Sequence, residues 1–442
     1  MRLAILLLAC LTAACATAAP INAPLTGAQL EPRGRVAKGE DLIVMALSGG
    51  GARAASFHLG VLQGLRDMEG ADGRPLSEHI ALTSSISGGS VFAAYYARHG
   101  EAGLDTFRAA YLDKDWRLRR VSPLGLAGAL RGGMNGPAQL ADWLDREVYD
   151  GALMRDLGAG PRAIINASDL YNGTAFAFTP FYFDGVCSDL SQVRVADAAA
   201  ASMAAPVLFR PVLAEAFPGA TCPRLDWPET LGRDAPESTQ ATARAFANYR
   251  GDPRAAQRYV LLGDGGLTDN LGLLSLSVLQ AALPAPAPLT PREAVQARRV
   301  LVLVVNAEYV RPRTFQTEET DAFGAYEMVY AALDASVDAA KRSALDAFRA
   351  SLPAYEQALR DYRCGLSAEE ALALGAGDAW ACEDISLRLD VITFRDMSGD
   401  AYDALYEVRT DVSIEPALVT ALIAGGREAV EVNAAVRELR AD

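Results

Sequence analysis

Five short apolar runs, separated by helical patterns, restrict what these 442 residues can fold into more than any other feature. The clearest is Leu42-Ile43-Val44-Met45-Ala46-Leu47; others lie near 80–86, 162–166, 259–263 and 300–305. Unbroken apolar runs of this length, closed by glycine or polar residues, are how strands buried on both faces read. The stretches between them, such as 53–68, carry helical spacing. Alternation of this kind predicts an α/β architecture with a central, mainly parallel sheet flanked by helices. Such sheets place their sites beyond the carboxyl ends of the strands, so the residues just after each run are where chemistry should be sought.

Three of those positions are glycine-rich. The first run leads into Ser48-Gly49-Gly50-Gly51-Ala52-Arg53 at the start of a helical pattern. Glycines there let backbone N–H groups face a ligand, and a helix N-terminus favours negative charge. No Gly-Lys-Ser/Thr follows, which excludes a P-loop, and the next glycine is Gly60, too distant for a dinucleotide fingerprint. The second run ends in Ser85-Ile86-Ser87-Gly88-Gly89-Ser90. A serine on a sharp strand-to-helix turn is exposed for attack, provided its neighbours two positions away are small. Gly89 meets that requirement, and Ser85 stands where glycine is usual. The third is Tyr259-Val260-Leu261-Leu262-Gly263-Asp264-Gly265-Gly266, a strand delivering a carboxylate between glycines.

A serine nucleophile needs a base, and the histidines limit the choice. There are three, His58, His79 and His99. His99 alone follows Ser87, twelve residues on in the same helical pattern, or roughly 18 Å away. The ordered Ser-acid-His triad of α/β-hydrolases is therefore excluded. Asp264 remains as a base able to take the Ser87 proton directly.

Together the three motifs resemble the patatin-like phospholipase family, whose pattern is Gly-Gly-Gly-x-Arg, a nucleophile elbow, then Asp-Gly-Gly. The resemblance extends to Asn166–Asp169 with the aromatic run that follows, and to the small-residue stretch Ala198–Pro206; it covers about 40–310. It implies a three-layer fold and a serine lipid acyl hydrolase with a Ser-Asp dyad. By position, Ser87 would be the nucleophile and Asp264 the base, with backbone N–H groups of Gly49, Gly50 and Gly51 forming the oxyanion hole. Gly88, Gly89, Gly265 and Gly266 would keep the turns tight, and Asn270 would brace the Asp264 loop. Arg53 is left open between ordering the glycine loop, meeting a phosphate and lying on a helix surface. Ser85 for glycine, and Ala54 where the family usually has glycine, depart from the pattern.

The ends carry other signals. Residues 1–18 read as a signal peptide: Arg2, an apolar run, then small residues. Leu11-Thr12-Ala13-Ala14-Cys15 also resembles a lipoprotein box, with signal 1–14 and a lipidated Cys15. Either way an exported, periplasmic or membrane-anchored protein of a bacterial envelope is expected. Residues 19–40 read as a tether, and 41–442 as the catalytic domain with a helical extension from about 320. Segments 214–257 and 281–297 read as surface loops. Of six cysteines, Cys10 and Cys15 belong to the leader; the remaining four suggest disulfides Cys187–Cys222 and Cys364–Cys382, with free thiols as the alternative.

A net charge of −14 argues against nucleic acid as a partner. No cofactor or metal cluster is implied. The expected partners are an acyl-lipid substrate and a membrane surface, which the basic-apolar stretch 116–134 could contact; oligomeric state is open. A lysophospholipase or general esterase, and a non-catalytic lipid-binding envelope protein, are the competing readings.

Overall fold

The computed structural model describes residues 19–440 apart from 32, 115–136, 207, 220–221, 223–224, 226–234, 252–256, 308–324, 398–404 and 407. The leader with Cys15, and the basic-apolar stretch 116–134, lie outside the described residues.

One sheet organises the chain. Its strands are β1 (Asp41–Leu47), β2 (Ile80–Ile86), β3 (Arg162–Asp169), β4 (Thr174–Ala177), β5 (Val212–Glu215), β6 (Tyr259–Asp264), β7 (Arg299–Asn306) and β8 (Ser386–Thr393). The order is β5-β6-β3-β2-β1-β7-β8, with β4 also paired to β3. From β3 to β8 every neighbouring pair is parallel; β4 and β6 pair with β3 in the antiparallel sense, as β5 does with β6. All residues of β1 and β2 are buried; β1 accordingly reads as an unbroken apolar run, whereas β2 carries Thr83, Ser84 and Ser85 within it. Helices flank the sheet: α1 (Gly51–Asp67), α2 (Gly88–His99), α3 (Val195–Ser202), α4 (Glu237–Arg250), α5 (Leu274–Ala282), α6 (Ala325–Gly365) and α7 (Pro416–Val432). Among the described residues, no helix is long and apolar enough to cross a membrane.

The structure corrects four expectations. The stretch after 320 is not a purely helical extension: β8 extends the sheet, pairing with β7 from Arg299–Ser386 to Asn306–Thr393. Its sequence, Ser-Leu-Arg-Leu-Asp-Val-Ile-Thr, alternates in polarity as a half-exposed edge strand should. α7 then packs on α1 with backbones touching: a Cβ on Gly60 would strike Ile423 O, and one on Gly426 would strike Phe57 O. Residues 19–40 are not a free tether, because their backbone finds partners on the body. Ile21 N–H donates to Leu213 O (3.0 Å) and Leu25 N–H to Cys187 O (2.9 Å), and Leu25 is buried. Segment 214–257 is not all loop; it contains the end of β5 and α4, whose Thr242, Ala245, Phe246 and Tyr249 are buried one turn apart. Segment 281–297 ends in a short helix, Pro291–Gln296, which Thr290 and Glu293 close with a capping box. Cys187 is bonded to Cys222, and Cys364 to Cys382.

Candidate active site

Strand register brings the serine and the carboxylate together. Ile86, the last residue of β2, lies opposite Asn166 on β3, and Asp264, the last of β6, lies opposite Ala167. β2 runs with β3 and β6 against it, so the two strands point their carboxyl ends at each other and finish one residue apart. Ser87 and Asp264, separated by 177 positions, then meet: Ser87 Oγ donates to Asp264 Oδ2 at 3.2 Å.

Ser87 opens α2 with φ 51° and ψ −123°, a left-handed backbone that side chains rarely adopt. Its neighbours permit that turn because they are bare. A Cβ on Gly88 would strike the Gly51 carbonyl, and one on Gly89 would stand 2.6 Å from Ser48 O. Ser85 is tolerated in place of glycine because it still lies in β2, where its hydroxyl donates to Ile164 O (3.1 Å).

Asp264 is held from several sides. Its Oδ1 accepts the Gly266 N–H (2.8 Å), its own N–H donates to Ala204 O (2.9 Å), and its carbonyl accepts the Ser168 hydroxyl (2.8 Å). Burial pushes the carboxyl up to about 6, against the lowering effect of the Gly266 and Ser87 donors. A group with that value is ionised near neutral pH yet still basic enough to accept a proton.

The glycine loop lies against the elbow; a Cβ on Gly49 would be 3.3 Å from Ser87 Cβ. Its N–H groups are not equivalent. Gly49 donates to Asn270 O (3.1 Å) and Ala52 to Asp411 O (2.8 Å). Gly49 is therefore corrected out of the oxyanion set, since its proton is already committed. Gly50 and Gly51, between these two, precede the first intrahelical bond of α1, and among the described residues neither N–H has a backbone acceptor. Their φ values, 139° and 59°, require glycine. The Asn270 side chain also lies beside the Asp264 loop: its Oδ1 would be 2.8 Å from a Cβ placed on Gly266.

Arg53 is not on the surface. It is buried, with Nε donating to Ala307 O (3.2 Å) and Nη1 to Val408 O (2.6 Å), so it cross-links the end of β7 to a C-terminal segment. Neither His58 nor His79 hydrogen-bonds Ser87 or Asp264. His58 lies behind the elbow, with Cε1 3.0 Å from where a Gly89 Cβ would stand, and burial pushes its pKa down to about 3. His79 pairs with Asp41 O (2.8 Å) and Asp72 Oδ1 (3.2 Å).

Sequence reasoning missed Ser202 and the role of Asn166. Ser87 N–H donates to Ser202 Oγ (2.8 Å), and the Asn166 amide ties Ser84 Oγ and Ser85 O (3.0 Å each). Ser202 lies in the Ala198–Pro206 stretch that shares the resemblance, but that stretch assigns it no role; only the fold reveals what it faces. Among the described residues no cluster of His, Cys, Asp and Glu could hold a metal ion. A pocket of about 400 Å³ between the β3–β4 turn and α4 is lined by Tyr171, Asn172, Arg244 and Asn248, not by the Ser87–Asp264 pair.

The patatin-like phospholipase model matches residues 45–277, which is 233 of 442 residues and takes in both glycine turns and Asp264. Among solved structures, that of VipD from Legionella pneumophila is similar at 13% identity and a TM-score of 0.33, over 92% of this chain and 71% of that one. No curated protein sequence matches.

Proposed function

This chain belongs to the patatin-like phospholipase family, a family of lipid acyl hydrolases, and on that premise we propose that it cleaves carboxylic esters of membrane lipids through Ser87 and Asp264, in the manner of a phospholipase A. The observation that carries the reading is the hydrogen bond from the Ser87 hydroxyl to the half-buried Asp264 carboxylate, whose pKa is raised to about 6 by desolvation.

The steps follow from the geometry. Ser87 Oγ attacks the ester carbonyl carbon while its proton passes to Asp264. The carbonyl oxygen becomes an oxyanion, stabilised by the N–H groups of Gly50 and Gly51; one such donor is commonly worth about 3–4 kcal/mol. Collapse breaks the ester C–O bond, and the leaving alcohol takes the proton from Asp264. Water then gives a proton to Asp264 and attacks the acyl-enzyme, releasing the fatty acid and restoring the Ser87 hydroxyl. Two carboxylic acid–base steps thus need only one side chain, which fits a site where the imidazole nearest the elbow is locked neutral and behind it.

Ser85 and Ala54 do not favour a decayed, non-catalytic relative, because the Ser85 hydroxyl donates to Ile164 O on β3 and Ala54 is buried in α1. The leader pattern and two bonded cysteine pairs support export to an oxidising compartment.

The test is product analysis on phospholipid vesicles, with fluorophosphonate labelling of purified protein. Wild type should release fatty acid and lysolipid and take up label; Ser87→Ala should do neither, and Asp264→Asn should release no product while remaining folded. Ester hydrolysis by Ser87→Ala at the wild-type rate would end this proposal.

A further inference from the structure

We infer that Ser202 is a positioning residue for the dyad, an inference that rests on the reading of the site just proposed. Val195–Ser202 is made almost entirely of small residues, so α3 can lie close to the strands beneath the site, and Ser202 is fully buried at its end. Its hydroxyl proton goes to Asn166 O (2.6 Å), which leaves the oxygen as an acceptor. Two donors use it: the Ser87 N–H at 2.8 Å and the Ser90 hydroxyl at 2.9 Å. Two residues further on, Ala204 O accepts the N–H of Asp264 at 2.9 Å. One three-residue segment, 202–204, therefore grips both members of a pair that is remote in sequence.

The physical need for the grip is the backbone of Ser87. A residue at φ 51° persists only where its surroundings over-determine it. No water can replace Ser202 without an opening, because neither Ser202 nor Ser90 is accessible to solvent. Removing the hydroxyl leaves the Ser87 N–H buried and unpaired. The elbow then relaxes toward an ordinary turn, which moves Oγ off the line to Asp264 Oδ2. The same bond commits the Ser87 N–H, so that proton does not join the oxyanion hole.

The experiment compares Ser202→Ala and Ser202→Thr with wild type on a p-nitrophenyl ester and on a fluorophosphonate probe, with Ser87→Ala as control. In Ser202→Ala, kcat should fall by about tenfold to a hundredfold, the scale expected for misplacing a reacting atom by about 1 Å. KM should stay unchanged, and labelling should slow by the same factor as kcat. Ser202→Thr, which keeps the hydroxyl, should recover most of the loss. Wild-type kcat in Ser202→Ala overturns the inference, as does a threonine variant no better than alanine. Should the alanine variant not accumulate, Ser202→Cys takes its place. Sulfur is the weaker acceptor, so slower labelling than in the threonine variant supports the inference and equal labelling overturns it. Ester hydrolysis by Ser87→Ala would instead overturn the dyad itself, whatever Ser202 does.

Discussion

Two neighbouring turns, each leading from a parallel strand into a helix, solve the same geometric problem in opposite ways. After β1, three glycines make the turn, and the outer N–H groups of the Gly49–Ala52 stretch are tied to backbone carbonyls of remote segments, Asn270 and Asp411. The inner two have no backbone acceptor among the described residues. After β2, a serine makes the turn at φ 51°, and its own N–H is tied down by a side chain, Ser202. Glycine costs no strain at positive φ, so the first turn can leave its protons for a ligand. Serine stores strain there, so the second must be anchored and offers its hydroxyl instead. The turns also depend on each other: a side chain on Gly88 would strike the Gly51 carbonyl.

Breaking the chemistry of the second turn should have the largest effect. Ser87→Ala or Asp264→Asn is expected to lower kcat by about 10⁴-fold or more, the scale seen when a nucleophile or its base is removed elsewhere. Ester hydrolysis by the purified variants measures it, and a loss under tenfold would contradict the assignment. Breaking the first turn comes next. Gly51→Ala puts a Cβ onto Asp411 O at φ 59°, so the donor moves and kcat should drop by about 10²–10³-fold together with a lower Tm. A variant with unchanged kcat would show that Gly51 is not an oxyanion donor.

The third prediction separates activity from stability. Asp264 has its pKa raised from 3.8 to about 6 by burial, so the native state holds the proton more tightly than the unfolded chain. The associated stability is fully present below 3.8 and is lost as pH rises through about 6. At pH 8 the buried charge destabilises the fold by about 3 kcal/mol, at 1.36 kcal/mol per pKa unit. Asp264→Asn should therefore be more stable than wild type at pH 8, by an amount approaching that figure, and equal to it near pH 4. Urea unfolding at the two pH values checks this. Wild-type kcat/KM should rise with pH through about 6, since the base must be ionised. The smallest effect is expected from Arg53→Lys. A single ammonium cannot span Ala307 O and Val408 O, so about 1–3 kcal/mol of stability should be lost, read as a lower Tm. An unchanged Tm would mean the cross-link contributes nothing.

Much of this site was legible in the primary structure, for a specific reason. Ser87 and the glycine loop lie just after β2 and β1, Asp264 closes β6, and the apolar residues of these strands announce where they end. Misreadings fell where periodicity is weak or divided. β8 alternates in polarity over eight residues on an Ala-rich background and was easily absorbed into a helical pattern. Residues 19–40 have no periodicity, yet Asn22 bonds Ser188 Oγ (2.9 Å) and Glu215 O (2.8 Å) through its side chain and dock the segment.

The sequence by itself determined the architecture and marked the two turns and the serine and carboxylate that the fold brings together, because burial on both faces and the need for glycine at positive φ are local demands that leave local marks. Only the tertiary structure decided which N–H groups remain available and what holds the serine in its strained turn. Asn270, Asp411 and Val408 act through backbone carbonyls, and Ser202 through its hydroxyl, across long stretches of chain. A backbone carbonyl has no residue signature, and a buried serine among alanines has little more, so those choices are made by packing alone.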